Sequence, residues 1–451
     1  MGEKVVVIGG TAAGLSAASK AKRVRPDLEI EVYERTGFIS YGACGLPYFV
    51  GGMIEDPNEL VSLFPEEMSQ KRGIPTYTRH EVTAIDRENK VVSVTDLESG
   101  RRFQRPYDKL VIATGASPIR LPLPGMDLEG VYYLRTVEDG IYLKDAITQK
   151  KHIAILGGGF IGLEMAEELT QAGVEVHVFE QMPRLLPFLE ESFSTAVAQT
   201  LVENGVHLHI GTEVARILGS DGTVAGIETA QGEQIPVDGV LASVGVRPAS
   251  ELAAACGLKL GLKGGIVVDE HQRTSDPSIW ACGDCVEMKH LITGAAVYVP
   301  LGTTANKQGR VAGGSLAGEE ASFRGVLGSM VTKVFQLYIA ATGLSQDQAR
   351  AAGYQAATTL IRKRDRASYY PGGTDTQICL IVDQRSGKLL GAQVIGGSTV
   401  AGRVNVFATA ITAGMTVAQI NELDLVYAPP VAPVYDPILI AASQAIKLVR
   451  E

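Results

Sequence analysis

The chain has 451 residues, 45% of them hydrophobic and 20% charged, with a formal net charge of −9. Such a length buries several cores, about two to four domains, and the acidic excess excludes a general nucleic-acid binder, which needs basic surface to neutralise phosphates. No apolar run is long enough to span a membrane, and the opening MGEKVVVIGG carries neither a basic leader nor a cleavage site, so no membrane association and a cytoplasmic location are expected.

The opening KVVVIGGTAAGLSAASKAKR predicts a strand, a glycine turn and an Ala-rich helix. A turn of this kind aims the free N–H groups of a helix start at phosphate oxygens. Gly9 and Gly14 take the first and third glycine positions of G-x-G-x-x-G, with Thr11 at the second. The next strand, EIEVYERT, ends with Glu34 at the spacing that suits a ribose diol. SYGACGLPY then sets Cys44 among small residues, and YDKLVIATGASP ends a strand at Thr114 and Gly115.

The opening unit recurs in KHIAILGGGFIGLEMAEELTQAGVEVHVFEQ, now with the complete pattern at Gly157, Gly159 and Gly162 and an acid, Glu180, closing its second strand. Glu180 would repel a 2′-phosphate, which favours NADH, while Arg184 nearby leaves NADPH open. Further on, TSDPSIWACGDCVE delivers Gly283 and Asp284 after another strand. TQICLIVD and KLLGAQVIGG read as strands and VNVFATAITAGM as a helix, an α+β module.

Two glycine loops joined by the ATG and GD stretches resemble the two-dinucleotide-binding flavoprotein disulfide reductases, over essentially the entire chain. The resemblance implies an α/β fold of the glutathione-reductase type with two Rossmann-like domains. An FAD domain in two pieces, 1–118 and 246–325, would enclose an NAD(P)H domain at 119–245, followed by a C-terminal α+β dimerisation domain at 326–451. It implies FAD on Gly9, Gly14 and Glu34, with Thr114 and Gly115 at the crossing between domains and Gly283 and Asp284 at the ribityl chain. NADH would lie on Gly157, Gly159, Gly162 and Glu180, with Phe160 as a movable gate and Glu164 near the nicotinamide.

SYGACGLPY matches the family's single-cysteine subfamily at Ser40, Cys44, Gly45, Leu46, Pro47 and Tyr48. Members with a redox cysteine pair place the second Cys five residues after the first; here Phe49 stands there, and Ile39 stands the same distance before. A lone thiol beside a flavin cycles against an external partner, as a sulfenic acid or a mixed disulfide with a small thiol. A helix N-terminus is expected to hold it as thiolate. Cys282 and Cys285 form a CxxC bracketing Asp284, with no further ligand pair in evidence, so no metal is expected; Cys256 and Cys379 read as core.

Peroxidases and oxidases of the subfamily carry a histidine in the first glycine loop, where this sequence has Ala12, as the coenzyme A-disulfide reductases do. The resemblance therefore implies reduction of coenzyme A disulfide, persulfide or polysulfide. That group brings tyrosines across a homodimer interface, in motifs that ASYYPGG (Tyr369, Tyr370) and DLVYAPPVAPVYDP (Tyr427) resemble. Tyr427 and Tyr369 are expected to assist release of the thiolate. Ser40, Arg23, Lys71, Arg72, Asn306 and Lys307 are the expected contacts of a coenzyme A substrate. Two alternatives stand beside this reading: an NADH oxidase reducing oxygen through a cysteine sulfenic acid, and an NADH-sensing flavoprotein that signals to a partner with little turnover.

Overall fold

The computed structural model describes residues 2–450. Strand β1 (Lys4–Ile8) runs into the glycine turn and helix α1 (Ala12–Val24), then β2 (Glu29–Tyr33), β3 (Thr76–Tyr77) and β4 (Lys109–Ile112). A second series repeats the plan: β5 (Val131–Tyr132), β6 (His152–Leu156), α2 (Phe160–Gln171), β7 (Glu175–Glu180), β8 (His207–Ile210) and β9 (Gly239–Ala242). β10 (Ile279–Ala281) then returns to the first sheet, and α3 (Gly302–Leu316) covers it.

Both sheets are parallel and five-stranded, ordered β10-β4-β1-β2-β3 and β8-β7-β6-β9-β5. Beyond a polar first residue, Lys4 or His152, their central strands are apolar, as sheets covered on both faces require: Val5, Val6 and Val7 in one and Ile153, Ala154 and Ile155 in the other are buried. Each order reverses direction beside its first strand, the point where a doubly wound sheet opens a crevice for a ligand. The chain leaves and re-enters the first unit on a two-stranded ribbon, Val246 opposite Pro118 and Pro248 opposite Ala116.

Helix α1 packs on α3 through small residues. A side chain at Gly309 would meet the Ala13 carbonyl at 2.2 Å, so glycine there sets how closely the helices approach. The last unit is an antiparallel sheet of β11 (Met330–Val334), β12 (Leu337–Gly343), β13 (Ala356–Arg364), β14 (Asp375–Asp383) and β15 (Leu389–Gly396), ordered β11-β12-β15-β14-β13. Helix α4 (Val400–Thr412) covers it through Val400, Val404, Phe407 and Ile411. No helix among the described residues is long and apolar enough to cross a membrane.

Candidate active site

The two glycine loops share one wiring. Glu34 accepts the N–H of Gly10 at 2.7 Å and of Thr36 at 2.8 Å; Glu180 accepts those of Gly158 at 2.9 Å and Met182 at 2.8 Å. Each acid thus braces its own loop and keeps carboxylate lone pairs for a ribose. Neither Thr11 nor Gly159 caps its helix with a side chain, which leaves the first N–H groups of α1 and α2 free for phosphate. Gly157 has φ +104°, a left-handed turn, whereas a side chain at Gly159 would meet nothing within 4 Å. The open space at Gly159 is where a pyrophosphate would approach the backbone.

The first loop opens on a cleft of 530 Å³ lined by Gly9, Glu34, Thr114, Gly115 and Arg135. Arg135 also lines a larger, 1820 Å³ cleft with Cys44, Phe160, Glu164, Glu180 and Lys307. The Arg135 guanidinium lies 2.9 Å from one oxygen of Asp284, and the other Asp284 oxygen is buried without a hydrogen-bond partner among the described residues. An orphaned buried acceptor between two dinucleotide loops fits a hydroxyl of a bound cofactor. Gly283 adopts φ +85°, and a side chain there would press on Ala13.

Cys44 sits in a single helical turn, Ala43–Gly45, that leads into the short helix Leu46–Val50. The preceding loop is held by Ser40, whose N–H donates to the Gly10 carbonyl and whose carbonyl accepts from Ser62. Ser40 has φ +49°, a left-handed conformation that costs a non-glycine residue about 1 kcal/mol or more. Among the described residues Ser40 contributes to the lining of neither cleft; it acts on the loop backbone.

Cys44 is an exposed residue that lines the larger cleft, yet the surrounding protein pushes its thiol pKa up through loss of hydration, with Glu164 and Asp284 adding to the rise and Arg135 opposing it. This direction runs against the expected thiolate: loss of hydration leads, the Glu164 carboxylate adds to it, and a turn of three residues supplies little helix field to oppose them. Burial likewise raises the Glu164 carboxyl, whose Oε1 accepts from Thr332 at 2.8 Å. One turn on, the buried Glu167 pairs with Lys333 and accepts the Phe335 N–H at 2.7 Å. Helix α2 is thereby fastened to β11 of the last unit.

The remaining cysteines lie elsewhere. Cys282 and Cys285 are buried free thiols, both raised by burial, with the Cys285 sulfur 3.3 Å from the Cys282 carbonyl. Cys379 is core, whereas Cys256 is half-buried at the end of the helix Glu251–Ala255 and so departs from expectation.

Of the expected coenzyme A contacts, only Lys307 lines the Cys44 cleft. Asn306 accepts from Ser16 at 2.8 Å, Arg72 donates to Ser19 at 3.0 Å, and Ser16, Ser19 and Arg23 fall on one face of α1 by helical spacing. These residues form a polar stripe leading away from Lys307. Lys71 is paired with Glu67 at 2.6 Å.

Tyr369, Tyr370 and Tyr427 do not line the Cys44 cleft of their own chain. Tyr369 and Tyr427 lie hydroxyl to hydroxyl at 3.2 Å, both exposed. Arg403, missed in the sequence, holds the segments that carry them: its guanidinium donates to the Asp365 carbonyl at 2.8 Å and to Asp436 at 2.9 Å, and all but vanishes from solvent. Arg135 was legible only indirectly, as the residue before a Thr136-x-x-Asp139 capping box that starts a helix.

Residues 3–309 match the family described as pyridine nucleotide-disulphide oxidoreductase, and residues 329–436 match its dimerisation domain. The chain belongs to the pyridine nucleotide-disulphide oxidoreductase family. Among curated relatives of this oxidoreductase, an NADH oxidase of Methanocaldococcus jannaschii is 37% identical, over 98% of this chain and 99% of the relative. An NAD(P)H coenzyme A polysulfide/persulfide reductase of Pyrococcus horikoshii is 36% identical, over 98% of each. Among solved structures, an NAD-dependent persulfide reductase from A. fulgidus matches with TM-score 0.95 and 40% identity, covering 98% of this chain and 83% of that one.

Proposed function

We propose that this oxidoreductase reduces a disulfide, persulfide or polysulfide of coenzyme A at Cys44, as a homodimer drawing electrons from NADH. The observation that carries the reading is an exposed cysteine in the cleft lined by the second glycine loop, which Arg135 joins to the cleft at the first loop, with no second cysteine lining it among the described residues. FAD, held by the Gly9 loop, Glu34 and Asp284, supplies two-electron exchange between a nicotinamide and a thiol site. The sulfur of Cys44 attacks the substrate disulfide, forming one S–S bond as the other breaks, and a coenzyme A thiolate leaves. That leaving group needs a proton, and the Tyr369–Tyr427 pair of a second copy offers a phenol for it.

The polar stripe from Lys307 past Ser16 and Ser19 to Arg23 suits a long, phosphate-bearing thiol better than a small one. Glu180 at the end of β7 disfavours a 2′-phosphate, and Arg184 is turned away onto the Pro187 carbonyl at 2.7 Å, which supports NADH over NADPH.

The test is Cys44→Ser in the FAD-loaded dimer. Turnover of coenzyme A disulfide and persulfide should fall to background with FAD still bound; retention of more than a tenth of the activity rejects the proposal. Oxygen reduction stands as the second reading, favoured by the M. jannaschii relative's name. It takes precedence if NADH consumption with oxygen exceeds that with every coenzyme A substrate.

A further inference from the structure

Four of the chain's seven histidines meet on one face of the second sheet. Parallel register sets His152 of β6 beside Glu175 of β7, and His177 of β7 beside His207 of β8. Residues two apart along a strand share a face, so Glu175 with His177 and His207 with His209 complete the group. None of these residues takes part in the chemistry at Cys44.

We propose that Glu175, His177 and His207 form a binding site for a divalent transition-metal ion of the zinc class. Their donor atoms all lie within 4.8 Å of one another. The Glu175 Oε1 is 3.3 Å from His177 Nε2 and 3.6 Å from His207 Nε2. Both separations are long for a charge-assisted hydrogen bond, about 2.7–2.9 Å. The first equals an edge of a tetrahedron of ligands about 2.0–2.1 Å from a central zinc, roughly 3.3–3.4 Å, and the second is slightly longer than one.

The surroundings prepare the ligands. His177 Nδ1 lies 3.1 Å from His209 Nε2, and with the proton on His177 Nδ1 the Nε2 lone pair faces the site. His209 is itself fixed by stacking on Phe179 at 4.4 Å; the rings of His177 and His207, stacked at 4.6 Å, must rotate apart for both Nε2 atoms to turn onto the ion. Glu175 and His207 are half-exposed, so an ion has an entry path, and a solvent water would complete the coordination. His152 Nδ1 lies 3.3 Å from the other Glu175 oxygen, beside the site.

The site lies at the starting ends of β6 and β7, whereas the Gly157 loop and Glu180 lie at their finishing ends. Its role is to pin the edge strand β8 to the sheet, outside the catalytic cleft. Strand register alone brings this set together, since its members lie on two separate strands.

The probe is Zn²⁺ titrated into the tag-free, FAD-loaded enzyme by equilibrium dialysis, alongside His207→Ala and Glu175→Gln. The expected result is one ion per chain in wild type, at least tenfold weaker binding in each variant, and a zinc-dependent rise in melting temperature that both variants lose. Co²⁺ substitution should give the spectrum of a nitrogen–oxygen site without a thiolate charge-transfer band. Equal zinc binding by wild type and both variants, no saturable binding, or a thiolate band that disappears in Cys44→Ser would each overturn the site.

Discussion

At the scale of single residues, the reactive sulfur is set by opposing charges. Loss of hydration, Glu164 and Asp284 raise the Cys44 thiol, and Arg135 is the charged side chain that lowers it, alongside a backbone hydrogen bond. Arg135→Gln removes the lowering contribution and leaves Asp284 unbalanced, so both consequences raise the thiol further. The acidic limb of the pH–rate profile for disulfide reduction should therefore move to higher pH, with about tenfold less thiolate per unit moved. A stationary limb would show that Arg135 does not tune the sulfur. The glycines offer a paired test. Gly159→Ala enters open space and should raise the KM for NADH severalfold with the melting temperature unchanged. At Gly162, by contrast, a side chain would meet the Gly157 carbonyl at 2.0 Å, so Gly162→Ala should lower the melting temperature as well.

At the scale of elements, charged pairs across segments position the chemistry. Arg403 on α4 grips the start of the Tyr369 segment through Asp365 and the end of the Tyr427 segment through Asp436. Breaking a buried pair of this kind costs about 3–5 kcal/mol because the partner's charge is stranded. Arg403→Met should lower the melting temperature and slow disulfide reduction, while reduction of the bound flavin by NADH in a stopped-flow experiment keeps its rate. Equal slowing of both steps would mean that Arg403 serves only the fold. This element was opaque in the sequence, because nothing in VNVFATAITAGM or its neighbours ties an arginine on one helix to acids so far along the chain. The glycine loops, by contrast, were legible: each places strand, turn, helix and acid within one short segment, so local spacing carries the geometry. The Cys44 motif marks a residue that lines the larger cleft, but its electrostatic surroundings were not legible, because Glu164, Asp284 and Arg135 arrive from three separate segments.

At the scale of the whole molecule, the last unit presents an uncovered apolar surface. Val426, Val431, Val434 and Tyr435 are all more than half exposed, beside the tyrosine pair, within or next to the stretch that matches the dimerisation domain. Val434→Asp should shift the protein towards monomer in sedimentation and abolish disulfide reduction while FAD stays bound; a fully active monomer would refute a shared active site. The interrupted first sheet has a further consequence, for synthesis. Its edge strand β10 is made long after β4, and at roughly 5–20 residues per second the ribosome needs about 8–33 s to supply it. During that interval the apolar KLVI of β4 has an unpaired edge, a template for association with other nascent chains. The second sheet draws all its strands from residues 131 to 242, so it can close first and stand between that edge and its neighbours.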